Sequence, residues 1–225
     1  MQNIKVIGIG GIGTSLVQYL ARYLNFSDLK FTLILIDGDN FEMKNKERQI
    51  FDRLGNKAQV VAEMLTKQFP EMIIDSRDEY ITLQSVEYLL QDGDIILMGV
   101  DNHKTRKIVS DYCKEFDNVL LISGGNTYTD GNIQVQLKKD GKDLTLPIAN
   151  KYHEEISNPQ DKSPDELGCD QLVASDPQLV LTNLFIASLM LNAFYLYTQK
   201  QIIPYDEVYG DVLTNSTLPV IRRKH

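Results

Sequence analysis

The fold turns on residues 4–20, IKVIGIGGIGTSLVQYL. The opening apolar run, IKVIGI, reads as a buried strand, and Leu16, Leu20, Tyr23 and Leu24 recur at helical spacing further on. Between the two lies a glycine loop of Gly8, Gly10, Gly11 and Gly13, with Gly8, Gly10 and Gly13 matching GxGxxG. Such a motif carries meaning only between a strand and a helix, and this one has that setting. Glycines let the backbone approach a phosphate, and the helix behind them offers free N–H groups and the positive end of its dipole. A tight turn with nothing bound is the plain alternative. The setting favours a nucleotide, and the motif alone leaves open which one.

The same alternation continues through the first half of the chain. FTLILI is a second strand, GNKAQVVAEMLTKQF a helix and EMIIDSRDEYI a third strand with its exit. SVEYLLQDG, DIILMGV, HKTRKIVSDYCKEF and NVLLISGG read as helix, strand, helix and strand. Continuous apolar strands separated by helices imply a Rossmann-like, doubly wound α/β fold: a mainly parallel sheet with helices on both faces. After residue 130 the pattern changes. NIQVQLKKDGKDLTLPI reads as an antiparallel hairpin turning at Asp140 and Gly141, and DEVYGDVL and TLPVIRR as added edge strands. Residues 150–170, polar and without periodicity, read as a long surface loop. Without an internal repeat or interdomain linker, one domain over 1–225 is the economical expectation.

Composition narrows the partners. A net charge of −8 argues against a nucleic-acid-binding surface. Two cysteines, Cys113 and Cys169, are too few for a disulfide framework or a zinc site built on cysteine, and no zinc is expected. The N-terminus shows no signal peptide. The apolar stretch 179–197 approaches the length of a membrane span, but Thr182, Asn183, Ser188 and Asn192 interrupt it. It reads as a helix buried in a core or a subunit interface, so no membrane is expected and the location is cytoplasmic.

Asp37 ends the second strand, 24 residues past Gly13, where an acid accepts hydrogen bonds from a ribose of NAD or ATP alike. The next residues separate the two. FEMKNKERQ is cationic and amide-rich, which suits a triphosphate whose charge must be neutralised while a phosphoryl bond breaks. Arg48 offers a planar fork and Lys57 a point charge at a helix start. Lys44 and Lys46 read as a solvated loop face.

At this point the sequence resembles the ThiF/MoeB/HesA family, relatives of the ubiquitin-activating enzymes. The ordered matches are GIGGIG, DGD (Asp37, Asp39), NKERQ (Asn45, Arg48, Gln49), GNKA (Gly55, Lys57) and VDNHKTR (Asp101, Asn102, Arg106), with SGGNTYTDGNIQV after them. The resemblance covers roughly residues 3 to 200, and the compact chain resembles the short ThiF-like proteins of bacterial mobile elements and phages. It implies ATP-dependent adenylation of a carboxylate, usually the C-terminal glycine of a small ubiquitin-like or sulfur-carrier-like protein, by a homodimer. By similarity Asp37 binds ribose, Asn45, Arg48 and Lys57 the phosphate chain, and Asp101 a magnesium ion. Asp101 read alone is equally a helix N-cap, and Arg106 reads as structural.

Cys169, at the end of the polar loop, matches a position where some members of the family carry a thiol that takes the activated group. Its acidic neighbours Asp165, Glu166 and Asp170 would raise its pKa, which leaves a passive Cys169 equally open. Cys113, on an amphipathic helix, reads as a core residue. The family's CxxC pairs are missing from this sequence, and so is its N-terminal segment with an arginine directed at the partner subunit's phosphates. Arg22, or Arg222 and Arg223, are the substitutes on offer. Two rival readings stand beside adenylation: a nucleotide-binding interaction module with reduced catalysis, and an NAD-dependent oxidoreductase.

Overall fold

The computed structural model describes residues 2–162 and 179–222. β1 (Gln2–Ile7), β2 (Phe31–Ile36) and β5 (Ile73–Arg77) lie parallel on one side, and β6 (Ile95–Met98) and β7 (Val119–Asn126) extend the parallel set on the other. β8 (Asp130–Lys139), β10 (Glu207–Asp211) and β11 (Ser216–Val220) continue it with antiparallel pairing, giving the order β11-β10-β8-β7-β6-β1-β2-β5. The short β9 (Lys142–Asp143) turns back on β8 through Asp140 and Gly141, both at positive φ, as the sequence led us to expect. A separate two-residue pairing joins β3 (Asn40–Phe41) to β4 (Gly55–Asn56).

Strand side chains alternate between two cores, because successive residues of a strand point to opposite faces. Ile4, Val6, Ile95 and Leu97 pack under α1 (Gly11–Asn25), α2 (Lys57–Gln68) and α6 (Val180–Tyr195). Ile7, Ile96 and Met98 face α3 (Val86–Leu89), α4 (His103–Cys113) and α5 (Glu154–Ser157), where Cys113 is buried. From β1 the chain builds β2 and β5 on one side, then crosses back to lay β6 on the other side of β1. The topological switch point therefore lies at the carboxyl ends of β1 and β6, where open α/β sheets bind ligands.

The apolar stretch forms α6 and a following π-helical turn, Leu196–Lys200. The 21 residues Val180–Lys200 are long and apolar enough to cross a membrane, with a mean hydropathy of 1.5 over an 18-residue window. Its inner face nevertheless packs on the sheet, burying Ile186, Ala187, Met190, Ala193 and Phe194 together with the polar Thr182 and Asn183. Leu181, Leu184 and Tyr195 lie exposed on the opposite face.

One expectation needs correcting. The first part of the stretch read as a surface loop is packed: α5 lies within it, and His153 and Ile156 are 5% and 2% exposed. His153 bonds Glu155 at 3.0 Å and Glu207 of β10 at 2.8 Å. A pairing between residues 54 positions apart leaves no periodic trace in the sequence. Burial works to lower the His153 pKa, but the hydrogen bonds and charges of Glu207 and Glu155 outweigh it and raise it.

Candidate functional site

The glycine turn is held by contacts that a side chain would disturb. Gly8 has φ +85° and its N–H donates to the Ile36 carbonyl at 2.9 Å. A Cβ on Gly13 would lie 2.0 Å from the Gly8 carbonyl oxygen, so α1 can start this close to β1 only with glycine there. Among the described side chains none caps the start of α1 at Gly10, which leaves its first N–H groups facing the cleft.

Asp37 closes the turn from the neighbouring strand. Its Oδ2 accepts from the Ile9 N–H at 2.6 Å and its Oδ1 from the Asp39 N–H at 2.8 Å. Burial raises its pKa to about 6, against the opposing pull of Lys57. Asp39 faces outward: its Oδ2 pairs with Lys57 Nζ at 2.7 Å and its Oδ1 accepts from the Tyr80 hydroxyl. Lys57, 9% exposed, has its pKa raised: burial pulls it down, and the charges of Asp37 and Asp39 more than offset that. Asn56 locks the same corner. Its side chain caps α2 by accepting from the Gln59 N–H and donates to the carbonyls of Asp37 and Asp39.

The stretch that follows winds into a turn of 3₁₀ helix, Met43–Glu47. Asn45, 6% exposed, accepts from the Glu42 N–H at 2.9 Å, and its carbonyl takes the N–H groups of Arg48 and Gln49. This turn brings Arg48 and Gln49 to the cleft wall. The buried Gln49 Oε1 has no hydrogen-bond partner among the described residues. Lys44 is exposed and paired with Glu42, and Lys46 lies over the Phe51 ring.

Asp101 follows β6 and faces the cleft. The N-cap of α4 is its neighbour Asn102, whose side chain accepts from the Thr105 N–H at 2.8 Å. The capping alternative for Asp101 therefore falls away, and its exposed carboxylate stays available to a ligand.

One cleft of about 2280 Å³ is lined by Gly8, Gly10, Gly11, Asp37, Asp39, Asn45, Arg48, Gln49, Lys57 and Asp101. Gly13 supports it from within α1. The cleft exceeds the usual size of a small-ligand pocket, roughly 300–1,000 Å³. It runs on past Asp101 over β7, β8 and β10, where Gly125, Asn132, Gln134 and Tyr209 line it. Cys169 and Arg223 lie outside the described residues. Arg22 does not approach the glycine turn: it sits in the last turn of α1, about 16 Å down the helix from Gly11, over the Phe69 ring. Arg222 stacks on Tyr152 and reaches Glu207. Sequence reading missed Asn56 and Tyr80, because each acts through partners brought together only by the β3–β4 corner. An Asn one residue before a helix start is a capping signal that could have pointed to the first.

The donor set fits the groups that the sequence implied. An N-terminal helix turn, a guanidinium and a lysine suit a phosphate chain. Among the described residues no cluster of three or more metal-binding side chains occurs. Magnesium needs none, since one or two carboxylates with phosphate oxygens and water commonly hold it.

Fold and cleft together define a Rossmann-like α/β protein with a glycine turn and a phosphate-compatible wall at its switch point. The model of the ThiF family matches residues 1–200, and the chain belongs to that family. It is 32% identical over 155 residues to a tRNA threonylcarbamoyladenosine dehydratase of Haemophilus influenzae, covering 66% of this chain and 57% of that one. It is 28% identical over 122 residues to the sulfur carrier protein ThiS adenylyltransferase of Escherichia coli, covering 52% and 47%. The chain thus spans about half the length of the curated relatives it matches. Among solved structures, Escherichia coli MccB with AMPCPP and MccA superposes with a TM-score of 0.73 at 19% identity, over 100% of this chain and 64% of MccB. That likeness establishes the fold.

Proposed function

We propose that this protein uses ATP to adenylate a carboxylate, most simply the C-terminal glycine of a small ubiquitin-like or sulfur-carrier-like protein. The observation that carries the reading is the convergence of Arg48, the Asp39–Lys57 pair and Asp101 on one cleft beside the glycine turn. A carboxylate oxygen attacks the α-phosphorus of ATP, the bond from that phosphorus to the bridging oxygen breaks, and pyrophosphate leaves with the electron pair. The α1 N-terminus, Asn45, Arg48 and Lys57 hold the phosphate chain, Gln49 lines the same wall, and Asp37 and Asp39 shape the ribose end. Asp101 would hold magnesium, which neutralises charge on the phosphates. Chemistry of this kind rests on positioning and charge neutralisation.

Several finer points belong to the same reading. Residues 1–225 act as one adenylation domain in the cytoplasm, Cys169 is a candidate acceptor after adenylation, and the exposed face of α6 with Leu181, Leu184 and Tyr195 is the surface for a homodimer. Two relatives are named for a tRNA nucleoside. A net charge of −8 favours a protein tail over RNA here.

The test is ATP–pyrophosphate exchange with a small ubiquitin-like protein ending in Gly-Gly. Exchange that depends on the intact tail supports the reading. ATP binding without exchange in the presence of the true partner would leave the interaction module, and binding of NADH in place of ATP would leave the oxidoreductase.

A further inference from the structure

Arg106 lies beneath the cleft floor and is 6% exposed. Its Nη1 donates to Ser123 Oγ at 2.9 Å, and its Nη2 donates to the carbonyls of Val100 and Gly124 at 2.7 and 2.8 Å. Its Nε is buried without an acceptor among the described residues. No carboxylate among the described residues pairs with it, and Asp101, Glu155 and Asp161 act on it only at a distance. Burial dominates and pushes its pKa down to about 10, which still leaves it charged at neutral pH. A buried cation held only by neutral acceptors costs several kcal/mol. If its task were only to tie the ends of β6 and β7, a neutral side chain would serve without that cost.

Its position says where the charge acts. A Cβ on Gly125 would lie 2.6 Å from Nη2, so the guanidinium packs directly against the bare face of that glycine, and both residues line the cleft. The glycine turn follows β1, Asp101 follows β6, and Gly125 belongs to β7, the next strand again. At about 4.8 Å per strand, the Arg106 end of the floor lies roughly 10 Å from the glycine turn. An anion there sits across Asp101 from the phosphate-binding wall.

We propose that Arg106 is the docking cation for the carboxylate of the acceptor substrate, acting at the cleft floor beside Gly125. The inference rests on the adenylation reading and deepens it: the second substrate enters as a free carboxylate, over the β7 end, with its charge met by a preorganised guanidinium.

The experiment follows the Arg106 Nε–H signal by ¹⁵N–¹H NMR in the full chain loaded with AMPCPP. N-acetyl-glycylglycine and its C-terminal amide are the two probes. The acid moves the signal and binds at least about tenfold more tightly than the amide, as loss of one charge-assisted contact requires. Arg106→Gln removes that preference, with AMPCPP affinity and melting as controls, and Arg106→Lys restores part of it. Gly125→Ser keeps the charge but fills the space beside Nη2, so it removes the preference even if Arg106→Gln fails to fold. Equal response to acid and amide in the wild-type chain, or no response to either, overturns the inference. Pyrophosphate exchange separates the two ideas: exchange without an acid preference leaves adenylation standing and sinks the Arg106 role, and an acid preference without exchange does the reverse.

Discussion

Replacing Lys57 by methionine removes the cation that holds Asp37 and Asp39 together. The lysine pairs with Asp39 at 2.7 Å and opposes the burial that raises Asp37 to a pKa of about 6. A unit pair 4 Å apart at an effective dielectric near 20 is worth about 4 kcal/mol. Asp39 has its side chain 51% exposed, and screening there cuts its share to about 1 kcal/mol. Asp37 is more deeply set and adds about 1–2 kcal/mol, partly offset because the variant no longer buries an ammonium. The net expectation is a loss of about 2 kcal/mol at pH 8, equivalent to roughly 4–8 °C in melting temperature for a chain of this size.

The pH dependence is the sharper part. Asp37 has a folded pKa raised above its ordinary value of 3.8, so its contribution to stability is fully present below about pH 4. That contribution is lost as pH rises through about 6. Without Lys57 the folded pKa climbs further, and Asp37 takes up its proton sooner as pH falls. The gap between wild type and Lys57→Met should therefore be widest at pH 8 and shrink to under about 1 kcal/mol at pH 5. Urea unfolding of both proteins at pH 5, 6, 7 and 8 measures it. An equal loss at every pH would show that Lys57 acts through packing alone, and the electrostatic account of the corner would be wrong.

Other outcomes follow from the same geometry. Arg48→Ala should lower pyrophosphate exchange at least about 100-fold, the scale expected for losing a preorganised charge at a reacting phosphate, while its melting temperature stays within a few degrees of wild type. Asp101→Ala should abolish magnesium-dependent exchange with little change in stability, because Asn102 rather than Asp101 caps α4; a large drop in melting temperature would contradict that. Gly13→Ala places a Cβ 2.0 Å from the Gly8 carbonyl oxygen, and chemical denaturation should show a loss of about 3 kcal/mol or more. The raised pKa of His153 gives stability that is fully present below about pH 6.5 and is lost as pH rises through the higher folded value. In His153→Gln the stability profile above pH 6.5 should be flatter than in wild type, and an unchanged slope would remove His153 from the account.

Much of the scaffold could be read from the chain because the signals are local. A strand, four glycines and a helix in 17 residues define the first βα unit, and the Asp140–Gly141 turn marks its own hairpin. The residues NKERQ stood out as a candidate cleft-wall run because their chemistry is unsuited to a bare strand exit, and Asn45, Arg48 and Gln49 do line the cleft. The 3₁₀ turn that delivers Arg48 and Gln49 to the wall was not, since it depends on Asn45 binding back to Glu42. The packing of α5 was missed for a related reason. Its anchor, His153, finds Glu207 only after the C-terminal strands have joined the sheet.

By itself, the sequence determined the doubly wound fold, the glycine turn and the set of charged residues available to it. Periodicity and turn chemistry act over a few residues, and they survive in the linear order. Tertiary structure alone decided how those charges are spent. Both oxygens of Asp37 hold the turn, Asp39 holds Lys57, Asn102 frees Asp101 from capping, and Arg106 lies charged beneath the floor with no carboxylate among the described residues against it. Pairing and burial are set by contacts between distant segments, and those two quantities separate a structural charge from one turned toward a ligand.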